Sequence, residues 1–322
     1  MKKRFFAALL AVAMTLTMSA CSSGGADYTV GICQLAPHPA LDAATKGFKD
    51  TLTELAAADG KTIEFQEQNA NGEATTCGTI INGFVSSKVD LILANATAPL
   101  QTAASSTDSI PILGTSISSY GTALEEPDMG ESTGRNISGT SDLAPLDEQA
   151  AIVKEWFPDA KNVGLLFCSG EANSRYQIDM IKPHLEALGF TCTEFTFSDS
   201  NDLATVTTNA CQNSDVIYVP TDNTVADNTG IIANIAIPAN VPVIAGEEAT
   251  CSGCGVATLS ISYEELGQTT GEMAYEVLVK GADISAMPIQ FAPSVTKKYN
   301  PTICEQMGLT PLEGYIAIET AE

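Results

Sequence analysis

Short apolar runs alternate along the chain with segments in which apolar residues recur at helical spacing. Residues 28–35 form the first run and predict a strand. A helical pattern follows in Leu41, Ala44, Phe48, Leu52 and Leu55. Further strands are predicted at 63–66, 90–94 and 110–113, with a helix marked by Ile80, Ile81, Phe84 and Val85. Strands that alternate with helices predict an α/β fold with a parallel sheet covered on both faces.

The same order of elements occurs twice. Strands are predicted again at 163–167, 192–197, 215–219 and 241–245, with helices around 178–188 and 203–210. Three landmarks align between the two copies: residues 30–32 with 163–165, 90–93 with 215–218, and 110–112 with 241–243. Similar order at a similar offset predicts two Rossmann-like lobes of one βαβ design.

The boundaries of the two lobes follow from this repeat. The connection between them is expected near residues 141–143, after the first copy ends. A later helix, with Leu266 and Met273 on its apolar face, ends at Gly281 and belongs to neither copy. The chain is therefore expected to return to the first lobe there and to leave it again near Met287. The predicted lobes comprise residues 28–141 plus 262–287 and residues 142–261 plus 288–318.

Charge and composition restrict the classes of function. The 322 residues include 39 acids and 15 bases, which gives a formal net charge of -24. Nucleic-acid binders need clustered Lys and Arg to neutralise phosphates, so no nucleic-acid partner is expected. With 44% apolar and 17% charged residues the chain is predicted to bury a core.

The first 20 residues have the pattern of an export signal. Lys2, Lys3 and Arg4 precede an apolar stretch at 5–18, and Met18-Ser-Ala-Cys21 resembles the lipobox of bacterial lipoproteins. Residues 1–20 are therefore expected to be a signal peptide, with a lipid on Cys21 and a tether at 21–27. The expected location is extracytoplasmic, anchored to the cell membrane. The alternative is an ordinary signal peptide with a chance cysteine.

Eight cysteines follow Cys21, and export permits disulfides. Their pairing cannot be deduced from spacing. Cys251 and Cys254 have CxxC spacing, but a zinc site needs a second pair or a nearby His, so no metal is expected. A local disulfide and two free thiols remain alternatives for this pair.

No enzyme motif is present in the sequence. It lacks G-x-S-x-G, a P-loop and H-E-x-x-H, and it contains two histidines, His38 and His184. No nucleophile–base pair can be assigned, so neither catalysis nor a cofactor is expected.

Polar residues follow the predicted strands in both lobes. Open parallel sheets bind ligands at the carboxyl ends of their strands, and two facing lobes would form a cleft lined by both sets of ends. Each such residue can also be a helix N-cap. The candidate ligand-binding residues are His38, Pro39, Asn95, Thr97, Thr115, Ser116, Asp142, Ser169, Glu171, Asn173, Ser174, Thr221, Asp222, Asn223 and Glu247.

Asp222 is the strongest single candidate. It follows a strand of the second lobe, whereas the equivalent loop of the first lobe, residues 95–97, is uncharged. That asymmetry suits a zwitterion, with the Asp222 carboxylate pairing with an ammonium group. The alternative is that Asp222 caps the following helix, which leaves Glu171, Asp142 or Glu247 as the ammonium partner.

Six segments of the chain resemble the substrate-binding lipoproteins of ABC importers, in the branch that includes tryptophan- and tyrosine-binding members. They are HPALDAATKGF from residue 38, KVDLIL from 88, GTSD from 139, EANS from 171, YVPTDN from 218 and YEELGQTTGEM from 263. They occur in the order and spacing of that family, over essentially the whole chain from Tyr28.

The resemblance implies a type I periplasmic-binding fold with three hinge crossings. It also implies a monomer that captures an amino acid, with an aromatic one (Tyr, Trp or Phe) preferred, and delivers it to an ABC permease with its ATPase. A nucleoside or sugar ligand is one alternative, although an aromatic content of 6% disfavours sugar stacking. A surface lipoprotein acting in sensing or adhesion is another.

Overall fold

The alternating pattern folds into two α/β lobes in the computed structural model, which describes residues 25–319. The signal segment and Cys21 lie outside the described residues. The elements of the first lobe up to residue 141 are β1 (Tyr28–Gln34), α1 (Pro39–Ala58), β2 (Ile63–Asn69), α2 (Ala74–Ser87), β3 (Leu91–Asn95), α3 (Thr97–Ser106), β4 (Ile112–Ile117), α4 (Tyr120–Ala123) and β5 (Ile137–Ser141).

The second lobe repeats this plan. Its elements are α5 (Leu146–Trp156), β6 (Asn162–Cys168), α6 (Ala172–Ala187), β7 (Thr191–Phe197), α7 (Ser200–Asn213), β8 (Val216–Val219), α8 (Asn223–Ala226), α9 (Thr229–Ala236), β9 (Val243–Ala245), α10 (Glu248–Cys254) and β10 (Ala257–Ser260). The rest of the chain forms α11 (Tyr263–Leu278), a 3-10 turn (Ile284–Ala286), β11 (Gln290–Phe291), β12 (Thr296–Tyr299), α12 (Pro301–Gln306) and β13 (Ile316–Ala317).

The five parallel strands of each copy have the same order in the two sheets, which confirms the predicted fold class. The first sheet runs β11-β5-β4-β3-β1-β2 and the second runs β13-β12-β10-β9-β8-β6-β7. Strands β1 to β5 pair in parallel, as do β6 to β10, and β12 joins β10 antiparallel. In each sheet the first strand, β1 or β6, has later strands of its copy on both sides. The chain connections therefore leave it in opposite directions, and the carboxyl ends of the strands border a crevice there.

Helix α11 belongs to the first lobe because it packs closely against α1. Gly47 and Gly267 lie at this contact, and a Cβ atom at either position would clash with a backbone carbonyl of the other helix, at Glu264 and Ala44 respectively. Only glycine lets the two backbones approach so closely.

Within residues 25–319 the chain crosses between the lobes three times, at residues 142–145, 261–262 and 292–295. The sequence placed the last crossing at residue 287, and the structure corrects this. Gln290 and Phe291 pair with Thr140 and Ser141 of β5, so they extend the sheet of the first lobe before the chain leaves it.

Each lobe has its own apolar core. Phe48, Phe84 and Leu93 are fully buried in the first, and Phe167 and Tyr218 in the second. The cysteines from Cys33 to Cys304 are free thiols, with Cys251 and Cys254 buried in α10. Among residues 25–319 no helix is both long and apolar enough to cross a membrane, and no cluster of side chains is arranged to hold a metal ion.

Candidate functional site

The strand ends of both lobes enclose a small space between them, which we call the inner cavity. The first lobe and the first crossing contribute His38, Leu41, Ser116, Ser118, Asp142 and Tyr263. The second lobe contributes Asn173, Thr221, Asp222, Asn223, Ala226 and Glu247. Among the described residues no Lys or Arg lines this cavity, and its acidic side chains are Asp142, Asp222 and Glu247.

A larger space, the outer cavity, adjoins the inner one and also lies between the lobes. Asn173 and Asn223 border both. Its volume is about 350 Å³, whereas the inner cavity has about 10 Å³, room for roughly one water molecule. An amino-acid-sized ligand therefore reaches the inner cavity only if the lobes first move apart.

The structure brings together many of the predicted site residues, but not all of them. Thr97 and Glu171 line the outer cavity, and Pro39 lies in a separate groove that shares Ala226, Glu247 and Tyr263 with the inner cavity. Asn95, Thr115, Ser169 and Ser174 line neither cavity, which corrects their predicted placement.

These four side chains are held by protein hydrogen bonds instead. Asn95 donates to the Leu41 carbonyl oxygen at 2.9 Å and ties the start of α1 to β3. The hydroxyl of Thr115 accepts from Thr140 at 3.2 Å, and that of Ser169 donates to the Phe197 carbonyl oxygen at 3.0 Å.

The carboxylate of Asp222 is fully engaged by protein donors. It accepts the Cys168 N–H at 2.7 Å, the Ser174 hydroxyl at 2.8 Å and, as the N-cap of α8, the Val225 N–H at 2.9 Å. Burial and the neighbouring Glu171 carboxylate raise the pKa of Asp222. The capping alternative is therefore what the structure shows for this side chain.

Two other acids of the cleft are engaged in the same way. Glu171 accepts the N–H groups of Asn223 at 3.0 Å and Thr224 at 2.8 Å at the start of α8. Glu247 caps α10 and accepts the N–H groups of Ala249 and Thr250. Carboxylates satisfy the free N–H groups of helix starts well, so these two acids have a structural task.

Asp142 differs from all three. One of its oxygens, Oδ2, accepts the Tyr263 hydroxyl at 2.9 Å, while Oδ1 has no hydrogen-bond partner among the described residues. The side chain is only 4% exposed, and burial raises its pKa to about 6, against the lowering effects of the Tyr263 and Ser118 hydroxyls. Asp142 is therefore ionised at neutral pH, and a buried carboxylate with a free oxygen favours a cation beside it.

Two further polar atoms at the inner cavity also lack partners within residues 25–319. They are Ser116 Oγ and His38 Nδ1. Ser116 has φ of 58°, a left-handed conformation that costs free energy in a non-glycine residue and is concentrated at functional sites. His38 precedes the 20-residue helix α1 without capping it through its side chain. A hydroxyl, an imidazole and the uncapped start of a long helix can together receive an anionic group.

Comparisons with known proteins identify the family of this chain. A family model described as "ABC transporter substrate binding protein" matches residues 29–319. The chain belongs to the family of ABC transporter substrate-binding proteins. This confirms the resemblance found in the sequence; members of this family bind solutes outside the cytoplasm and are not a family of enzymes.

Three known proteins are similar to this substrate-binding protein in sequence or structure. A tyrosine-binding protein of Clostridioides difficile is 35% identical over 265 residues, covering 81% of this chain and 75% of the relative. A Streptococcus pneumoniae structure in complex with L-Trp is 28% identical, with a TM-score of 0.83, over 90% of this chain and 100% of the other. A ligand-free, open structure of a Clostridium difficile substrate-binding protein with adhesive properties is 35% identical, with a TM-score of 0.70, over 91% and 100%.

The lobes of the substrate-binding protein contact each other directly across the cleft. Its similarity to the L-Trp complex exceeds its similarity to the open structure, even though the open protein is closer in sequence. Contacts across the cleft agree with this, since His38 Nε2 lies 3.3 Å from Asn223 Oδ1 and Gln177 Nε2 lies 3.1 Å from Ser118 Oγ.

Sequence reasoning missed several residues that form the cavity or its surroundings. Ser118 and Tyr263 line the inner cavity, and Gln177 lies directly behind it. A usable signal existed for Gln177, because it is a polar residue beside Ile178 on the buried face of α6. Tyr263 offered no comparable signal, because its contact with Asp142 depends on the path of two crossings.

Proposed function

We propose that this protein captures an aromatic amino acid, L-tyrosine in the first place, in the cleft between the lobes, with its charged ends at the residues of the inner cavity, and delivers it to an ABC permease with its ATPase. The observation that carries the proposal is Oδ1 of Asp142, a buried carboxylate oxygen that has no partner within residues 25–319, in a cavity that no described Lys or Arg lines. The tyrosine-binding relative and the L-Trp complex support the choice of an aromatic ligand.

The two charged ends of such a ligand have different partners in this proposal. The ammonium group pairs with Asp142, because a charge-assisted hydrogen bond offsets the cost of burying that carboxylate. The carboxylate is received by Ser116, His38 and the uncapped start of α1, where the helix dipole favours negative charge. Leu41 and Ala226, one from each lobe, supply apolar contact to the side chain.

Closure follows from contacts on both sides of the ligand. Asp142, Ser116 and His38 lie on the side of the first lobe and Asn223 on that of the second. A ligand that contacts both sides favours the closed state, because only that state makes both sets of contacts.

A thermal-shift screen of all amino acids, nucleosides and common sugars tests the ligand class. A ligand at 100 times its dissociation constant adds ~2.7 kcal/mol to the free energy of unfolding. Tyrosine, phenylalanine or tryptophan should raise the melting temperature most. A nucleoside or sugar that stabilises the protein while all three leave it unchanged would replace the amino-acid proposal.

We also propose that the mature protein is a monomer tethered to the cell membrane through a lipid on Cys21. The support is the Met18-Ser-Ala-Cys21 motif after a charged and apolar leader. Cys21→Ser should abolish partitioning into a detergent phase, while Ser22→Ala, its neighbour, should not. Equal partitioning of Cys21→Ser and the unmodified protein would reject the lipid anchor.

Adhesion is a second candidate role, because one similar protein is described as having adhesive properties. Deletion of the gene followed by two assays separates the roles. Loss of labelled tyrosine uptake with normal attachment to host cells supports transport, and the reverse pattern supports adhesion.

A further inference from the structure

Two side-chain hydrogen bonds join the lobes across the cleft within residues 25–319. One links His38 to Asn223, and both of these residues line the inner cavity. The other links Gln177 of α6 to Ser118, which follows β4 in the first lobe. Gln177 is only 2% exposed and does not line the inner cavity, so a contact with ligand does not account for it.

Gln177 is fixed within the second lobe independently of Ser118. Its Oε1 accepts the Thr221 N–H at 3.0 Å, while the two hydrogens of its Nε2 are shared among three acceptors: the carbonyl oxygens of Thr221 at 3.1 Å and Asn173 at 3.2 Å, and the Ser118 hydroxyl. The paired bonds to Thr221 set the orientation of the amide. Its Nε2 is therefore already aimed at the first lobe, and little conformational entropy is lost when it meets Ser118.

The backbone of Ser118 is fixed within the first lobe by a hydrogen bond of its own. Its carbonyl oxygen accepts the hydroxyl of Ser141 at 3.3 Å, and Ser141 directly precedes Asp142 in the first crossing. The Gln177–Ser118 bond therefore joins the cleft loop at Thr221 to the segment that carries the proposed ammonium partner.

We propose that Gln177 is a positioning residue that latches the closed lobes together through Ser118 without touching the ligand. It sets how readily the cleft closes and how long a ligand stays inside. The ligand readouts of this inference rest on the proposed binding of an aromatic amino acid, whereas the latch itself does not.

Ser118→Ala removes the acceptor in the first lobe and leaves every bond of Gln177 within the second lobe in place. L-tyrosine should dissociate about fivefold faster in stopped-flow experiments, the size expected for one hydrogen bond. The Thr221 amide should keep its protection from hydrogen exchange, because Gln177 still accepts from it. Gln212→Met, a change at an exposed glutamine of α7, is the matched control and should leave the dissociation rate unchanged.

A double-mutant cycle separates a latch from direct contact, because Ser118 itself lines the inner cavity. In the background of Gln177→Met, Ser118→Ala should have no further effect on dissociation if the two residues act through one bond. Additive effects would show that Ser118 acts on the ligand directly and would overturn the latch.

The closed population of the ligand-free protein tests the latch without any ligand. Dyes on unnatural amino acids at exposed Glu54 and Glu186, one in each lobe, report the distance between lobes by single-molecule energy transfer. Ser118→Ala should lower the ratio of closed to open molecules about fivefold, for the same hydrogen bond. An unchanged ratio would overturn the latch. Failure of the unmodified protein to bind any aromatic amino acid would instead overturn the proposed function and leave this result standing.

Discussion

The hydroxyl of Tyr263 donates a 2.9 Å hydrogen bond to Asp142 and so joins two of the three crossings between the lobes. Asp142 begins the first crossing, and Tyr263 follows the second as the first residue of α11. The other oxygen of Asp142 has no protein partner in the described part of the chain. One carboxylate therefore connects the hinge to the place where a ligand's positive charge is proposed to bind.

Asp142→Asn is expected to weaken L-tyrosine binding at least about 30-fold, because the amide cannot offset an ammonium charge. The free energy of unfolding without ligand should stay within about 1 kcal/mol of the original, since the amide oxygen still accepts from Tyr263. Calorimetry and urea unfolding measure the two quantities. Asp147→Asn, at an exposed acid of α5, is the control, and equal affinity of both variants would remove Asp142 from the site.

Affinity for L-tyrosine should fall as the pH drops below about 6. The pKa of Asp142 is raised to about 6 by burial, so acid protonates the group that receives the ammonium. Binding at pH 5 should be about tenfold weaker than at pH 7.5. Asp142→Asn should abolish this slope, and a slope of unchanged size in that variant would assign it to another group.

The same raised pKa gives the opposite trend for the stability of the ligand-free protein. The folded state holds the Asp142 proton more tightly than the unfolded chain, whose carboxyl titrates near 3.8. Between these two values the contribution of Asp142 to stability decreases as the pH rises. Lowering the pH through this range therefore increases the contribution of Asp142 to the free energy of unfolding, while it weakens ligand binding.

Tyr263→Phe should shift the pH dependence of binding upward. The Tyr263 hydroxyl lowers the pKa of Asp142, so its removal lets burial raise that pKa above 6. Affinity at pH 7 should drop about threefold to tenfold, with the midpoint of the pH profile at a higher pH. A uniform loss of affinity with the midpoint unchanged would mean that Tyr263 contacts the ligand directly and does not act through Asp142.

Asp222→Asn is expected to act mainly on stability. Three donors converge on the Asp222 carboxylate, and an amide must turn its NH₂ group toward at least one of them. The free energy of unfolding should fall by about 1–3 kcal/mol in urea. Asp199→Asn, at an exposed N-cap of α7, should cost far less because Asn caps nearly as well as Asp. An unchanged stability of Asp222→Asn, with a large loss of affinity, would restore Asp222 as the ammonium partner.

The fold could be predicted because local pattern and tertiary arrangement agree. Val30 and Val163 each begin the buried part of the first strand of a copy, so the repeat is visible in the apolar runs themselves. The last crossing was misplaced because β11 has only two residues, Gln290 and Phe291, too few to show alternation.

The sequence predicted which loops border the site, but not which of their side chains are available to a ligand. The sequence places Asp142, Glu171, Asp222 and Glu247 at strand ends, but it does not show which carboxylates are already hydrogen-bonded. That depends on donors brought from elsewhere in the fold, such as the Cys168 N–H for Asp222. Sequence reasoning therefore chose an acid whose two oxygens are already engaged by protein donors over Asp142, which has an oxygen without a partner among the described residues.

Titration calorimetry of the mature protein with L-tyrosine tests the central claim most directly. The account predicts a dissociation constant near or below micromolar for tyrosine, phenylalanine or tryptophan. It also predicts no measurable heat with the deaminated analogue 3-(4-hydroxyphenyl)propionate, which lacks the ammonium group that Asp142 would receive. Absence of binding by all three amino acids, or equal binding of tyrosine and the deaminated analogue, would contradict it.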